Sequence, residues 1–141
     1  MSGKDVQKVF AEATATYQKS QKDLSKSIKA RQQLETQLTE NASVKEELAL
    51  LEASAKVFKQ IGPVLVPQDL EEARGNVQKR IEWITSETKR IDQTIKDLQA
   101  SLQKQEESIR KLQRESMPNA AGQASYAAAA AGGTRDLGNK Y

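Results

Sequence analysis

A chain of 141 residues that is 37% hydrophobic, 4% aromatic and 29% charged can form one domain at most and has little material for a large compact core. It contains no Cys, which excludes disulfides and thiolate metal sites, and no His, which removes the commonest general base and metal ligand. The net charge of +3 is dispersed: residues 1–56 carry 9 basic and 8 acidic side chains and residues 69–116 carry 10 of each, so no basic stripe marks a nucleic-acid surface.

No apolar run approaches the roughly 18 residues of a membrane span, and the opening MSGKDVQKVF lacks the apolar region of a signal peptide, so a soluble intracellular protein is expected. The first element is a helix over about 4–55. Its apolar stripe follows a heptad with a at Phe10, Tyr17, Leu24, Arg31 and Leu38, and d at Ala13, Ser20, Ser27, Leu34 and Asn41. Beyond Asn41 the stripe reads one residue early, through Val44, Leu48, Leu51 and Ala55, which predicts an overwound segment between Lys45 and Glu52.

VFKQIGPVLVPQDL follows, from Val57 to Leu70. It is β-branched and nearly uncharged, and Pro63 and Pro67 cannot sit inside a helix. Two strands over about 56–67 with a tight turn at Gly62-Pro63 are predicted. A lone hairpin is marginal in water, so Val57, Phe58, Ile61, Gly62, Pro63, Val64, Leu65 and Val66 are the expected site of assembly with other chains.

Asp69 then offers an N-cap for a second helix over about 69–115, with Glu72 three residues on. Its seam places d at Leu70, Val77, Ile84, Ile91, Leu98, Gln105 and Leu112, and a at Arg74, Ile81, Thr88, Ile95, Leu102 and Ile109. Gly75 is its weak point, costing about 1 kcal/mol relative to Ala. Trp83 lies off the seam, where partial exposure and a flanking contact are both open. Residues 118–141, rich in Ala and Gly without an amphipathic repeat, read as a disordered tail.

Two helices of similar length joined by a short connection fold back as an antiparallel coiled coil. A register whose partner numbers total 122 pairs every a of one helix with a d of the other. Phe10 then faces Leu112, Leu38 faces Ile84 and Tyr17 meets Gln105, while Arg31 lies on Ile91 with its head in water. Val6, Val9, Phe10, Ile109 and Leu112 gather at the end away from the hairpin, either as a fraying seam or as an apolar tip that captures partners. Adjacent acids such as Glu46-Glu47 and Glu71-Glu72 point about 100° apart on a helix and do not converge on one atom, so no enzyme and no cofactor is expected.

The stretch VFKQIGPVLVPQDLEEARGNVQKRIEWI, with QKDLSKSI and QLTENASVKEELALL before it, resembles the β-type subunits of the prefoldin family. The resemblance covers residues 17 to about 115. It implies a mainly α fold in which a long antiparallel two-helix coiled coil is joined by one β-hairpin that completes an inter-subunit β-barrel. It implies an ATP-independent co-chaperone in a heterohexamer with two α-type and three further β-type subunits. It further implies that the tips hold unfolded polypeptides such as actin and tubulin for delivery to the group II chaperonin in the cytosol. By position, Val57 to Val66 would supply the barrel strands and Val6, Val9, Phe10, Ala13, Ile109 and Leu112 the client-holding tip. The alternative is a structural coiled-coil tether or cytoskeletal adaptor that dimerises through its helices.

Overall fold

The structure is a computed structural model that describes residues 2–116; the Ala/Gly-rich tail expected at 118–141 lies outside the described residues. Four elements follow in order: α1 (Gly3–Leu50), β1 (Val57–Ile61), β2 (Val64–Gln68) and α2 (Leu70–Ser116). Two long helices with one antiparallel hairpin between them are thus the whole of the described fold.

Each helix start has a local cause. At α1 the Ser2 carbonyl accepts from Asp5 N at 3.1 Å and Val6 N at 3.2 Å, and the Ser2 hydroxyl donates to Asp5 Oδ2 at 2.7 Å. Ser2 and the acid three residues on therefore cap the helix, a signal the heptad reading passed over. At α2 the Asp69 carbonyl accepts from Ala73 N at 2.9 Å, and Glu71 and Glu72 stand in the first turn, where carboxylates suit the helix dipole.

Residues 23–98 form one compact unit. Its core is two clusters made by α1 lying against α2. Leu48 packs with Leu70, Ala73 and Val77, with Val57 and Ile81 against them, while Leu34 packs with Ile84 and Ile91, flanked by Ala30, Leu38 and Ile95. Apolar contact of this kind is the main stabilising term for helices whose other faces are charged. Arg31 gains a contact beyond the expected placement. Its head is in water as expected, but its Nε also donates to Asp92 Oδ1 of α2, so the guanidinium links the two helices at the surface. This hydrogen bond and the Asp92 charge raise the Arg31 pKa.

The end of α1 also departs from the reading above. The helix stops at Leu50, with no basic residue in its last turn. Arg74 of α2 takes that place. Its Nε and Nη2 donate to the Leu48 carbonyl at 3.2 and 2.9 Å, its Nη2 also reaches the Leu51 carbonyl at 3.2 Å, and its Nη1 is held by Glu71 Oε1 at 2.7 Å. The Leu48 carbonyl otherwise has a long bond from Leu51 N at 3.4 Å, and a cation arriving from the other helix supplements it.

Burial between Lys45 and Glu52 does not follow the early stripe from which an overwound segment was predicted. Leu48, the buried residue of this stretch, lies one full heptad beyond Asn41, in phase with the rest of α1, whereas Val44 is 41% exposed and Leu51 falls after the helix. Counting Val44 as inward shifted the pattern by one residue. In the phase the structure keeps, the intervening a position is Lys45, which is exposed.

The described residues 2–22 and 99–116 belong to a second unit. Here Phe10, Ala13, Tyr17 and Ser20 on α1 and Leu102, Gln105, Ile109 and Leu112 on α2 are half-buried. Gln105 Nε2 donates to Ser20 Oγ at 3.2 Å and to Ser101 Oγ at 3.3 Å, so Ser20, one helical turn from Tyr17, is the partner that Gln105 finds across the helices. The other side-chain atom of this amide, Oε1, is buried without a hydrogen-bond partner.

Candidate functional site

The hairpin is built by its turn. Ile61 pairs with Val64, leaving Gly62-Pro63 as a two-residue loop, and Gly62 has φ +59°. Positive φ at the first loop position followed by proline matches a type II′ turn, whose twist suits the flanking strands and which favours Gly there. Beyond the turn, Gln60 pairs with Leu65, Lys59 with Val66, Phe58 with Pro67 and Val57 with Gln68.

Because side chains alternate along a strand, one face carries Val57, Lys59, Ile61, Val64, Val66 and Gln68, and the other Phe58, Gln60, Leu65 and Pro67. Val57 is anchored on the cluster around Leu48 and Val77. The other large apolar side chains stand in solvent: Phe58 is 51% exposed, Ile61 and Val64 56%, Leu65 63% and Val66 40%. Five exposed apolar groups on both faces of ten strand residues are an unusual concentration for a surface. The hairpin residues singled out from sequence are thus brought together, and all but Val57 are exposed.

The second expected site is less uniform. Val6 and Phe10 line a groove of about 570 Å³ together with Gly3, Gln7, Gln113, Glu115 and Ser116. Ala13, Ile109 and Leu112 are half-buried in the same unit but do not line that groove, and Val9 is exposed. Gln7 and Gln113 were not singled out because each sits one residue off the apolar heptad stripe.

Trp83 is 60% exposed on α2. On the same helix, Arg90 donates Nε to Glu87 Oε1 at 3.0 Å, and hydrogen bonding from Arg90, ahead of its charge, holds the Glu87 carboxyl below the usual range. No cluster of metal-ligating residues occurs among the described residues, and no described helix is long and apolar enough to cross a membrane.

This geometry defines a class: antiparallel two-helix proteins bridged by a single apolar hairpin. A family profile describing the prefoldin subunit matches residues 11–116, and the chain belongs to the prefoldin subunit family. It is 52% identical over 110 residues to prefoldin subunit 6 of Homo sapiens, an alignment covering 78% of this chain and 85% of that protein. It is 44% identical over 117 residues to the probable prefoldin subunit 6 of Caenorhabditis elegans, with 82% and 93% covered. Among solved structures, the prefoldin beta subunit from Thermococcus strain KS-1 shares the fold, with a TM-score of 0.64 and 20% identity over 72% of this chain and 90% of that one. Members of this family are non-enzymatic chaperone components.

Proposed function

We propose that this chain is a chaperone subunit that enters a prefoldin complex through its hairpin. The observation that carries this reading is the set Phe58, Ile61, Val64, Leu65 and Val66, exposed on a sheet of only two strands. Such a sheet is marginal by itself and gains stability when other strands cover its faces and edges. Val57 to Val66 then act as the joint with two α-type and three further β-type subunits, completing an inter-subunit β-barrel. The half-buried residues Val6, Phe10, Ala13, Ile109 and Leu112, with the exposed Val9, hold unfolded polypeptides such as actin and tubulin. Delivery to the cytosolic group II chaperonin follows as the role of the whole complex. Several weak apolar tips acting together give useful affinity for clients of varied sequence.

The test is size measurement of the chain alone and with its prefoldin partner subunits. Entry into a hexamer is expected, and failure to enter one overturns the proposal. A tether that dimerises through its helices would instead form parallel helix pairs between chains. In residues 23–98 the seam that such a dimer would use is already filled from within, by Leu34, Leu48, Val77, Ile84 and Ile91. Replacing Phe10, Ile109 and Leu112 with Ser should weaken client holding and leave assembly intact. Loss of assembly would make these residues structural instead.

A further inference from the structure

The register of the hairpin determines what each of its edges offers. In a hairpin closed by a two-residue loop, the pair next to the loop exchanges both main-chain hydrogen bonds, and bonded and non-bonded pairs then alternate along the ladder. Ile61/Val64, Lys59/Val66 and Val57/Gln68 are therefore the bonded pairs, and Gln60/Leu65 and Phe58/Pro67 turn their main-chain groups outward. Proline agrees with this phase, since Pro67 has no N–H and occupies a position from which the ladder requires no donor.

The two edges consequently differ. Along β1, Phe58 and Gln60 each present an N–H and a carbonyl. Along β2, Leu65 presents both groups but Pro67 presents a carbonyl alone. A strand laid along β1 finds every donor and acceptor of a regular ladder, whereas a strand laid along β2 meets a missing donor beside Pro67.

We propose that the two edges are unequal in assembly. The β1 edge at Phe58 and Gln60 is the strong joint, taking an extended strand from a neighbouring prefoldin hairpin through a complete set of main-chain bonds. The β2 edge is the weaker one, held mainly by the apolar side chains of Val64, Leu65 and Val66. This rests on the reading of the hairpin as the assembly joint, and it adds a direction to it. The occupant is a strand because the exposed groups repeat every second residue along an edge of an incomplete sheet. Inequality of the edges also sets an order, in which a complex taken apart gradually loses its β2 neighbour first.

The experiment compares single-proline variants by native mass spectrometry with the prefoldin partner subunits. Gln60→Pro removes a β1 donor while sparing the hairpin's own ladder, and Gln60→Thr keeps that donor but lacks the bond from Gln60 Nε2 to the Gly62 carbonyl at 3.4 Å. Gln60→Pro should weaken association about tenfold, the effect of one main-chain hydrogen bond lost with its acceptor left unfilled, while Gln60→Thr stays near wild type. Leu65→Pro, its counterpart on β2, loses a donor and an exposed apolar side chain together, so its main-chain share is read against Leu65→Ala and should be clearly smaller than the loss from Gln60→Pro.

Pro67→Val supplies the missing donor and should tighten association, a result that decides the matter even if Gln60→Pro disrupts the hairpin. A main-chain share at Leu65 equal to the loss from Gln60→Pro, or no gain from Pro67→Val, overturns the proposal. The double change Ile61→Asp with Val64→Asp separates the two levels. If it assembles normally, the hairpin is not the joint at all. If it abolishes assembly while the edge variants behave alike, the joint stands and only the inequality falls.

Discussion

Arg74 is where a single side chain decides how a helix ends, and Arg74→Met isolates its contribution. Methionine keeps an unbranched apolar stem but removes the guanidinium that bonds the Leu48 and Leu51 carbonyls. Hydrogen bonds from charged donors contribute about 1.5–3 kcal/mol each in protected surroundings, and a cation at a helix C-terminus adds roughly 0.3–1 kcal/mol. Arg74 is 34% exposed, so water replaces part of what is lost. A net cost of about 2 kcal/mol follows, or a fall in Tm of about 8 °C for a chain of this size. Circular dichroism at 222 nm reads the melting. Amide hydrogen exchange should localise the loss to 48–57, next to the foot of β1. Arg74→Lys, with one ammonium for two carbonyls, should lie between wild type and Met. Glu71→Gln should change little, because the Glu71 side chain is 76% exposed. If Arg74→Met melts within about 2 °C of wild type, the cap contributes nothing and the end of α1 needs another cause.

Gly75 lies exposed within α2, and a Cβ added there meets nothing within 4 Å, so Gly75→Ala should stabilise the chain by about 1 kcal/mol in thermal melts; a lower Tm would show a hidden constraint. Gln105→Leu removes the buried unpartnered Oε1, and the freed hydroxyls of Ser20 and Ser101 can turn to their own helix carbonyls, so a gain of about 1 kcal/mol is expected in denaturant unfolding and a loss would mean the polar layer is net stabilising. Glu87 is held below its unfolded value by Arg90, so its contribution is present above the ordinary carboxylate range and disappears as pH falls through the depressed folded value. In an NMR titration, Arg90→Met should move the Glu87 carboxyl back up, and an unchanged midpoint would remove the assigned cause.

The parts of the fold that were legible in the sequence rest on local spacing. The seam of α2 could be read because Val77, Ile84 and Ile91 repeat every seven residues, and these are among the buried side chains. The hairpin could be read because β-branched residues surround Gly62-Pro63, and a two-residue turn leaves little choice of register. What escaped depends on partners remote in sequence. Nothing near Leu50 announces the end of α1, because the group that caps it is Arg74, and an arginine at a seam position reads only as an awkward core residue. Arg31 reads as a stem on Ile91 with its head in water, and nothing near it in sequence announces Asp92, which meets it from α2. Similar logic explains Gln105: both Tyr17 and Ser20 carry hydroxyls at seam positions one turn apart, and only the packing chooses between them. Polar residues in a seam are thus poor guides to contact until the register is known within a residue, whereas apolar residues tolerate a turn of error.

Burial is distributed unevenly, and the distribution bears on the proposed role. Among the described residues, the seven buried apolar ones, from Leu34 to Ile91, belong to the unit of residues 23–98, while those of the other unit are half-buried at best. Packing that incomplete gives low local stability, so the helix segments 2–22 and 99–116 should exchange their amides sooner than the segments around Ile84. The same property leaves Val6 and Phe10 beside an open groove instead of inside a core. A surface meant for one partner gains from rigid complementarity, but one meant for many apolar segments gains from side chains that can repack at small cost. Filling the seam with a larger apolar residue at Ala13 would test that trade. It should raise the melting temperature and slow exchange in these segments while narrowing the range of unfolded polypeptides that are held. If client range is unchanged by a tighter seam, adaptability is not what the loose packing supplies.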